Sequence, residues 1–378
     1  MTIDEIRAQF SHLESGHIYL NHAATSPWSR MMEESVREFI DGRARGDIDT
    51  YAATMRTIGE ARVWAAEMIG CDARRIAFAQ NTSEGLNILA AGFPWRQGDH
   101  VILVDQEFPA NIYPFLNLRR HGVELSFVPQ REGQVLIEDI EAAITPRTRL
   151  VAISWVQFLS GYTVDLAALK TLCESHGVLL SVDAIQGVGG IRLNLAETPV
   201  DFLSAGVQKW QMGPQGLAIV YVSERVQDML QQAVLGWINV KDAWNFFDYR
   251  LDLLDDARRY ESGTFNSIGL HAYHGALRLF RAVGHDEVER LVRNNATYTY
   301  GRAIERGLAV VTPSDPARRA GIVTFRHEQA EALQAGLQQR RITVSARVGH
   351  VRIAPHFYNT TEEIDALFAA LDELRREQ

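Results

Sequence analysis

The chain has 378 residues, 46% of them hydrophobic and 22% charged, an ordinary balance for a soluble globular protein and a length that suits two domains better than one core. Its 38 basic and 47 acidic residues leave a net charge of −9, which argues against a broad nucleic-acid surface, and its longest apolar runs are strand-sized, which argues against a membrane span. The N-terminal MTIDEIRAQF has no hydrophobic signal region, and Cys71 and Cys173 make no disulfide framework, so a reducing cytoplasm is the expected setting. Both cysteines are expected as small core residues.

Strand-like runs follow one another at 75–79, 101–105, 124–128, 150–154, 178–183, 201–205 and 217–222, with helical patterns between most of them, notably 83–91 and 166–176. Such alternation predicts βαβ units and a mostly parallel seven-stranded sheet, hence an α/β fold. After about residue 256 the pattern changes to helices over 268–281 and 286–307, strands over 322–325 and 350–354, and a last helix from Thr361. This predicts a large α/β domain over 21–256 and a smaller α+β domain over 257–378, with residues 1–20 packed on the latter. No Pro/Gly/Ser-rich tract marks the boundary.

Ligands of open parallel sheets bind beyond the carboxyl ends of the strands. Three groups of reactive residues fall there. In NTSEG, Thr82 and Ser83 begin a helix, where free N–H groups and hydroxyls hold a phosphate or, more ordinarily, cap the helix. In SVDAIQG, Asp183 ends an apolar strand and calls for a cationic partner, such as a protonated pyridine nitrogen, unless it only caps the next helix; Gln186 is placed to bond a ring substituent. In GVQKWQMGP, Lys209 follows a strand in an apolar, turn-rich segment, where desolvation frees a lysine amine as a nucleophile. A phosphate cradle, an acid for a pyridine nitrogen and a lysine for an aldehyde together match the needs of pyridoxal phosphate.

With these motifs in hand, the chain resembles the class V aminotransferase family of fold type I, which includes cysteine desulfurases, kynureninases and isopenicillin-N-epimerase-like proteins. The similarity runs in order through YLNHAATSP, NTSEGLN, EFPANIYPF, SVDAIQ, QKW, RYESGTFN and VRIAPHFYNTTEEID. It implies a Schiff base on Lys209, Asp183 on the pyridine nitrogen, Phe108 stacked on the ring, and phosphate contacts from Thr82, Ser83 and Gln208. It also implies a homodimer with shared active sites, in which Gly263 and Thr264 reach the neighbouring subunit's phosphate, and Arg352 as the contact for an amino acid's carboxylate.

Three departures stand out. Phe158 occupies the place where many relatives have an asparagine on the cofactor's phenolic oxygen, leaving that task to Gln186. Gly206 and Gln208 stand where many desulfurases have serine and histidine. The segment SARVGHVRIAPH is short and has no cysteine where desulfurases carry a mobile catalytic one. An aminotransferase acting on an α-amino acid is therefore the leading expectation, with a lyase or epimerase on the same scaffold as the alternative. A cofactor-binding regulator is disfavoured, because the resemblance begins by residue 19 and leaves no room for an appended DNA-binding domain. Of the remaining residues, His271 and His274 are spaced as ligands can be but lack a partner and are expected to be ordinary helical histidines. Trp237 is expected to pack. His350 and His356 flank Arg352, either at the mouth of the site or merely solvated, and Arg347 is either a second anion contact or a surface charge.

Overall fold

A computed structural model describes residues 1–46 and 48–377. Seven strands, β1 (Ile76–Ala79), β2 (His100–Val104), β3 (Glu124–Val128), β4 (Thr148–Ser154), β5 (Leu179–Asp183), β6 (Phe202–Gly206) and β7 (Ala218–Val222), form one sheet in the order β1-β7-β6-β5-β4-β2-β3. All run parallel except β7, which is antiparallel to both neighbours. Every residue of β2, β5, β6 and β7 is buried. This is why their sequences read as continuous apolar runs, since helices cover both faces.

One face carries Thr82–Gly92, whose Leu86, Leu89 and Ala90 meet Val101, Leu103 and Ala152. The other carries Tyr51–Ile69 and Leu166–Ser175, with Leu169 and Cys173 against Val151, Ile153 and Leu180. The helix Ser267–Val283, expected in the smaller domain, belongs to this large core. Its Leu270, Tyr273, Leu277 and Phe280 join the sheet cluster, and it crosses Arg30–Arg45 so closely that a Cβ on Gly275 would lie 2.6 Å from the Met31 carbonyl oxygen. The next helix, His285–Glu305, bridges two cores: Val288 and Val292 join the sheet cluster, and Ala303 packs in a second one.

The second core is built on four antiparallel strands, β8 (Ala309–Val310), β9 (Val323–Arg326), β10 (Ser345–Arg347) and β11 (His350–Ile353), in the order β10-β11-β9-β8. Phe325, Val351 and Ile353 from one face of this sheet pack on Leu333, Leu337, Ile364, Leu367 and Phe368 of the helices Ala330–Gln339 and Thr361–Glu377. The N-terminal segment lies against it: Ile18–Tyr19 pairs in parallel with Ile342–Thr343, and Phe10 stacks on Tyr358 at 4.0 Å. Among the described residues no helix is long and apolar enough to cross a membrane.

Candidate active site

The carboxyl ends of β4, β5 and β6 converge on Asp183. It closes β5, in register with Ser154 on one side and Ser204 on the other, and is 2% exposed. Oδ1 accepts the Ile185 N–H at 3.0 Å. Burial pushes its pKa from 3.8 to about 7; the Ile185 N–H opposes the rise, Glu107 adds to it, and Lys209 opposes it. Lys209 follows β6, and burial pushes its amine from 10.5 down to about 8, Asp183 opposing and Arg352 and Arg347 assisting. An amine that gives up its proton about two units earlier than an ordinary lysine thus faces a carboxyl group that burial favours neutral unless a cation lies beside it.

The Lys209 backbone is pinned on three sides. Ser26 Oγ donates to the Lys209 carbonyl at 2.6 Å, the Ser26 N–H donates to the Gln208 carbonyl at 2.9 Å, and His356 Nε2 meets the Trp210 carbonyl at 2.9 Å. His356 is therefore fully buried, and burial pushes its pKa down to about 3. It does not line the mouth of the site but anchors the lysine loop from beneath. His350 is the one that stays partly exposed.

At the end of β6 lies the helix start expected to hold a phosphate. Asn81 caps Thr82–Gly92 by accepting the Glu84 N–H at 2.9 Å, which leaves the Thr82 and Ser83 N–H groups without intrahelical acceptors. Thr82 Oγ1 accepts the Gly206 N–H at 2.9 Å and keeps its own proton to donate. A Cβ on Gly206 would lie 2.6 Å from Gln208 Oε1 and 3.1 Å from Thr82 Oγ1. Glycine there makes room for the Gln208 side chain beside Thr82, which accounts for the hydroxyl this chain lacks at 206.

Above the lysine, the Phe108 ring centroid is 5.4 Å from Nζ, and the Phe158 ring meets Phe108 edge-on at 5.6 Å. Phe108 is placed by Glu107, which the sequence reading passed over. This buried carboxylate accepts the Ser154 N–H at 2.6 Å, Ser154 Oγ at 2.8 Å, Asn111 Nδ2 at 2.6 Å and Gln157 Nε2 at 3.0 Å. The signal in the sequence is an acid three residues beyond a strand end, next to Phe-Pro. Gln186 departs from expectation. Its Oε1 accepts the Trp210 indole N–H at 2.9 Å and its Nε2 donates to the Ala23 carbonyl at 3.0 Å, because a fully buried indole needs an acceptor. A single N–H is left for any ring substituent.

Arg352 projects from β11 on the face opposite Val351 and Ile353. It is 2% exposed, donates to the Phe158 carbonyl at 2.7 Å and to Ser345 Oγ at 3.3 Å, and has no acidic partner among the described residues. Burial, with Arg347 nearby, pulls its pKa down to about 10. A buried guanidinium without a counter-ion is costly unless an anion joins it.

Gly263 and Thr264 lie apart from this cluster. Glu261 is fixed inside by Arg62 (2.7 and 3.0 Å) and the Phe78 N–H (2.8 Å), and beyond it the chain emerges with Thr264 exposed. There it borders a cavity of about 370 Å³ with Gln80, Glu84 and Asn87. His271 stacks on Phe39, while His274 stacks on Trp64 and bonds Glu60. Trp237 is 40% exposed and meets Trp244 edge-on. Cys71 and Cys173 have thiols that burial pushes up to about 12.

A family model described as Aminotransferase class-V matches residues 18–367. A probable cysteine desulfurase of Methanothermobacter thermautotrophicus is 28% identical over 400 aligned positions, covering 99% of this chain and 98% of the relative. Among solved structures, an apo cysteine desulfurase from Thermococcus onnurineus superposes with a TM-score of 0.90 at 24% identity, over 100% of this chain and 99% of that one. A mutant of C-DES with glycine covalently linked to its PLP cofactor gives 0.90 at 22% identity, over 97% and 98%. The donor set here fits that cofactor: a buried acid with spare acceptor capacity, a lysine of lowered pKa and a helix start with unpaired N–H groups.

Proposed function

Since the chain belongs to the class V aminotransferase family and has pyridoxal phosphate as its cofactor, we propose that it is a lyase which cleaves a carbon–sulfur bond in an α-amino acid. The observation that carries this reading is the buried guanidinium of Arg352, which has no acidic partner among the described residues and whose charge is felt by Lys209, so that a substrate carboxylate would supply its counter-ion. The choice of a lyase over the expected aminotransferase is supported by the full-length similarity to a probable cysteine desulfurase.

When bound, the cofactor supplies an electron sink for the pair released at the substrate's α-carbon. Asp183 would hold the pyridine nitrogen protonated. Thr82, Ser83 and Gln208 would hold the phosphate, and Phe108 would cover the ring. Arg352 orients the substrate by two parallel hydrogen bonds to its carboxylate, which a guanidinium matches and an ammonium does not. Lys209 Nζ takes the proton from Cα. With the Cβ–S bond broken, the sulfur fragment leaves carrying the bond pair, and hydrolysis of the remainder yields a 2-keto acid and ammonia.

Neither cysteine can receive that sulfur in the site. Cys71 precedes β1, Cys173 lies in a helix packed on the sheet, and both thiols stay protonated. The hairpin before Arg352 turns through Val348 and Gly349 alone. We further propose a homodimer in which Gly263 and Thr264 complete the partner's site. Trp244, Phe247 and Tyr249, 61%, 89% and 89% exposed, support it, because an apolar surface of this kind calls for cover.

The test is product analysis with L-cysteine and L-cystine. Pyruvate and ammonia should form in equal amounts with released sulfide from cysteine or persulfide from cystine. Stoichiometric conversion of the cofactor to its aminated form would establish transamination instead, and alanine formation would establish desulfuration.

A further inference from the structure

The small sheet carries a second row of positive charge that this chemistry does not use. Register sets Thr324, Arg352 and Ser345 side by side across β9, β11 and β10. This inner row closes on the large domain: Arg352 bonds the Phe158 carbonyl at 2.7 Å and Thr324 Oγ1 the Leu159 carbonyl at 2.6 Å. Two residues along each strand, on the same face, stand Arg326, His350 and Arg347. The residues between the rows, Phe325 and Val351, point into the core, so the two rows share the cleft-facing side.

The outer row is open. Arg326 and Arg347 are exposed and His350 half-buried, and among the described residues neither arginine forms an ion pair. Glu328 is close by in the turn after β9, yet Arg326 does not pair with it. Arg347 bears on the site itself, since its charge helps lower the pKa of both Lys209 and Arg352. The turn that sets Arg347 opposite His350 is tight. Val348 adopts φ +49°, a left-handed conformation costly for a β-branched residue, and Gly349 follows at +71°. Uncompensated cations in a chain of net charge −9 mark a place where an anion is stabilised.

We propose that Arg347 and Arg326, with His350 between them, form a subsite for a second anionic group at the distal end of the substrate, so that the substrate is an α-amino acid with an acidic terminus. The inference rests on Arg352 as the α-carboxylate contact. Two strand residues span about 7 Å, which sets the separation between the two anionic groups and suits a side chain of glutamate length or slightly longer.

The test uses the holoenzyme and ligands without a leaving group on Cβ, so that binding is read without turnover. Dissociation constants are measured by calorimetry for glutamate and 2-aminoadipate against glutamine and norleucine. The subsite expects the acidic pair to bind roughly 10-fold more tightly or better. Arg347→Gln and Arg326→Gln should each weaken acidic ligands far more than neutral ones, and raised salt should shrink the preference. Equal binding of the two pairs, or a preference that survives both substitutions, overturns the proposal. Preference for acidic ligands without any sulfur release would refute the lyase reading alone, and sulfur release with no such preference would refute the subsite alone.

Discussion

Asp183→Asn should act in opposite directions on the cofactor-free and the cofactor-bound protein. In the free protein Asp183 is 2% exposed, and burial raises its pKa from 3.8 to about 7. The folded state therefore holds this proton more tightly than the unfolded chain does. Stability from this group is fully present below the unfolded pKa and is lost as pH rises through the folded one. Three units at about 1.4 kcal/mol each put the cost of ionising it above pH 7 at ~4 kcal/mol. Asparagine keeps the shape and the acceptor for the Ile185 N–H and cannot ionise, so it should recover ~2–4 kcal/mol at alkaline pH after the cost of burying its amide. In the holoenzyme the same change removes a charge-assisted hydrogen bond worth about 1.5–3 kcal/mol, and cofactor affinity should fall roughly 10- to 150-fold. Thermal melts of cofactor-free wild type and variant across pH, with fluorescence titration of the cofactor, measure both effects. A variant no more stable than wild type at alkaline pH, or one that binds cofactor as tightly, would refute the reasoning.

In cofactor-free protein, aldehyde labelling of Lys209 should rise with pH through a midpoint near 8, and a midpoint near the ordinary 10.5 would show that burial does not tune it. Arg352→Lys should raise KM for amino acids on the order of 10- to 100-fold, because lysine keeps the charge but loses the fork; plain amines should be little affected, and equal loss on both would deny the carboxylate contact. Replacing Cys71 and Cys173 with alanine should leave turnover within about 2-fold and cost roughly 1–2 kcal/mol of stability, whereas loss of sulfur release with the fold intact would point to a persulfide route. Light scattering should report a dimer, and mixing Lys209→Ala with Thr264→Ala subunits should restore activity; an active monomer would contradict shared sites.

Much of this arrangement was legible in the sequence. The sheet strands could be read to within a residue or two because most are short apolar runs buried on both faces and bounded by turn residues; the edge strand Glu124–Val128 is the half-exposed exception. Asp183 and Lys209 drew notice together: each alone has an ordinary explanation, a helix cap or a solvated lysine, but both lie at the carboxyl ends of apolar strands. The features that resisted reading depend on tertiary packing. The helix Ser267–Val283 looks like the start of a new pattern, but its apolar stripe packs in the large core, which sequence order alone does not reveal. His356 and Gln186 look available as polar residues beside the site motifs, yet the fully buried Trp210 consumes both, one at its carbonyl and the other at its indole. Glu107 was passed over because nothing local reveals that Ser154, Gln157 and Asn111 converge on it. The row of Arg326, His350 and Arg347 becomes visible only once β9, β10 and β11 are aligned.

The central claim is that Lys209 carries the cofactor at the meeting point of Asp183, Phe108 and Arg352. Reducing the yellow holoenzyme with borohydride and mapping the labelled peptide tests it most directly. The stable cofactor adduct should lie on the peptide containing Lys209 and be lost in Lys209→Ala. An adduct on any other lysine of the native enzyme would contradict it.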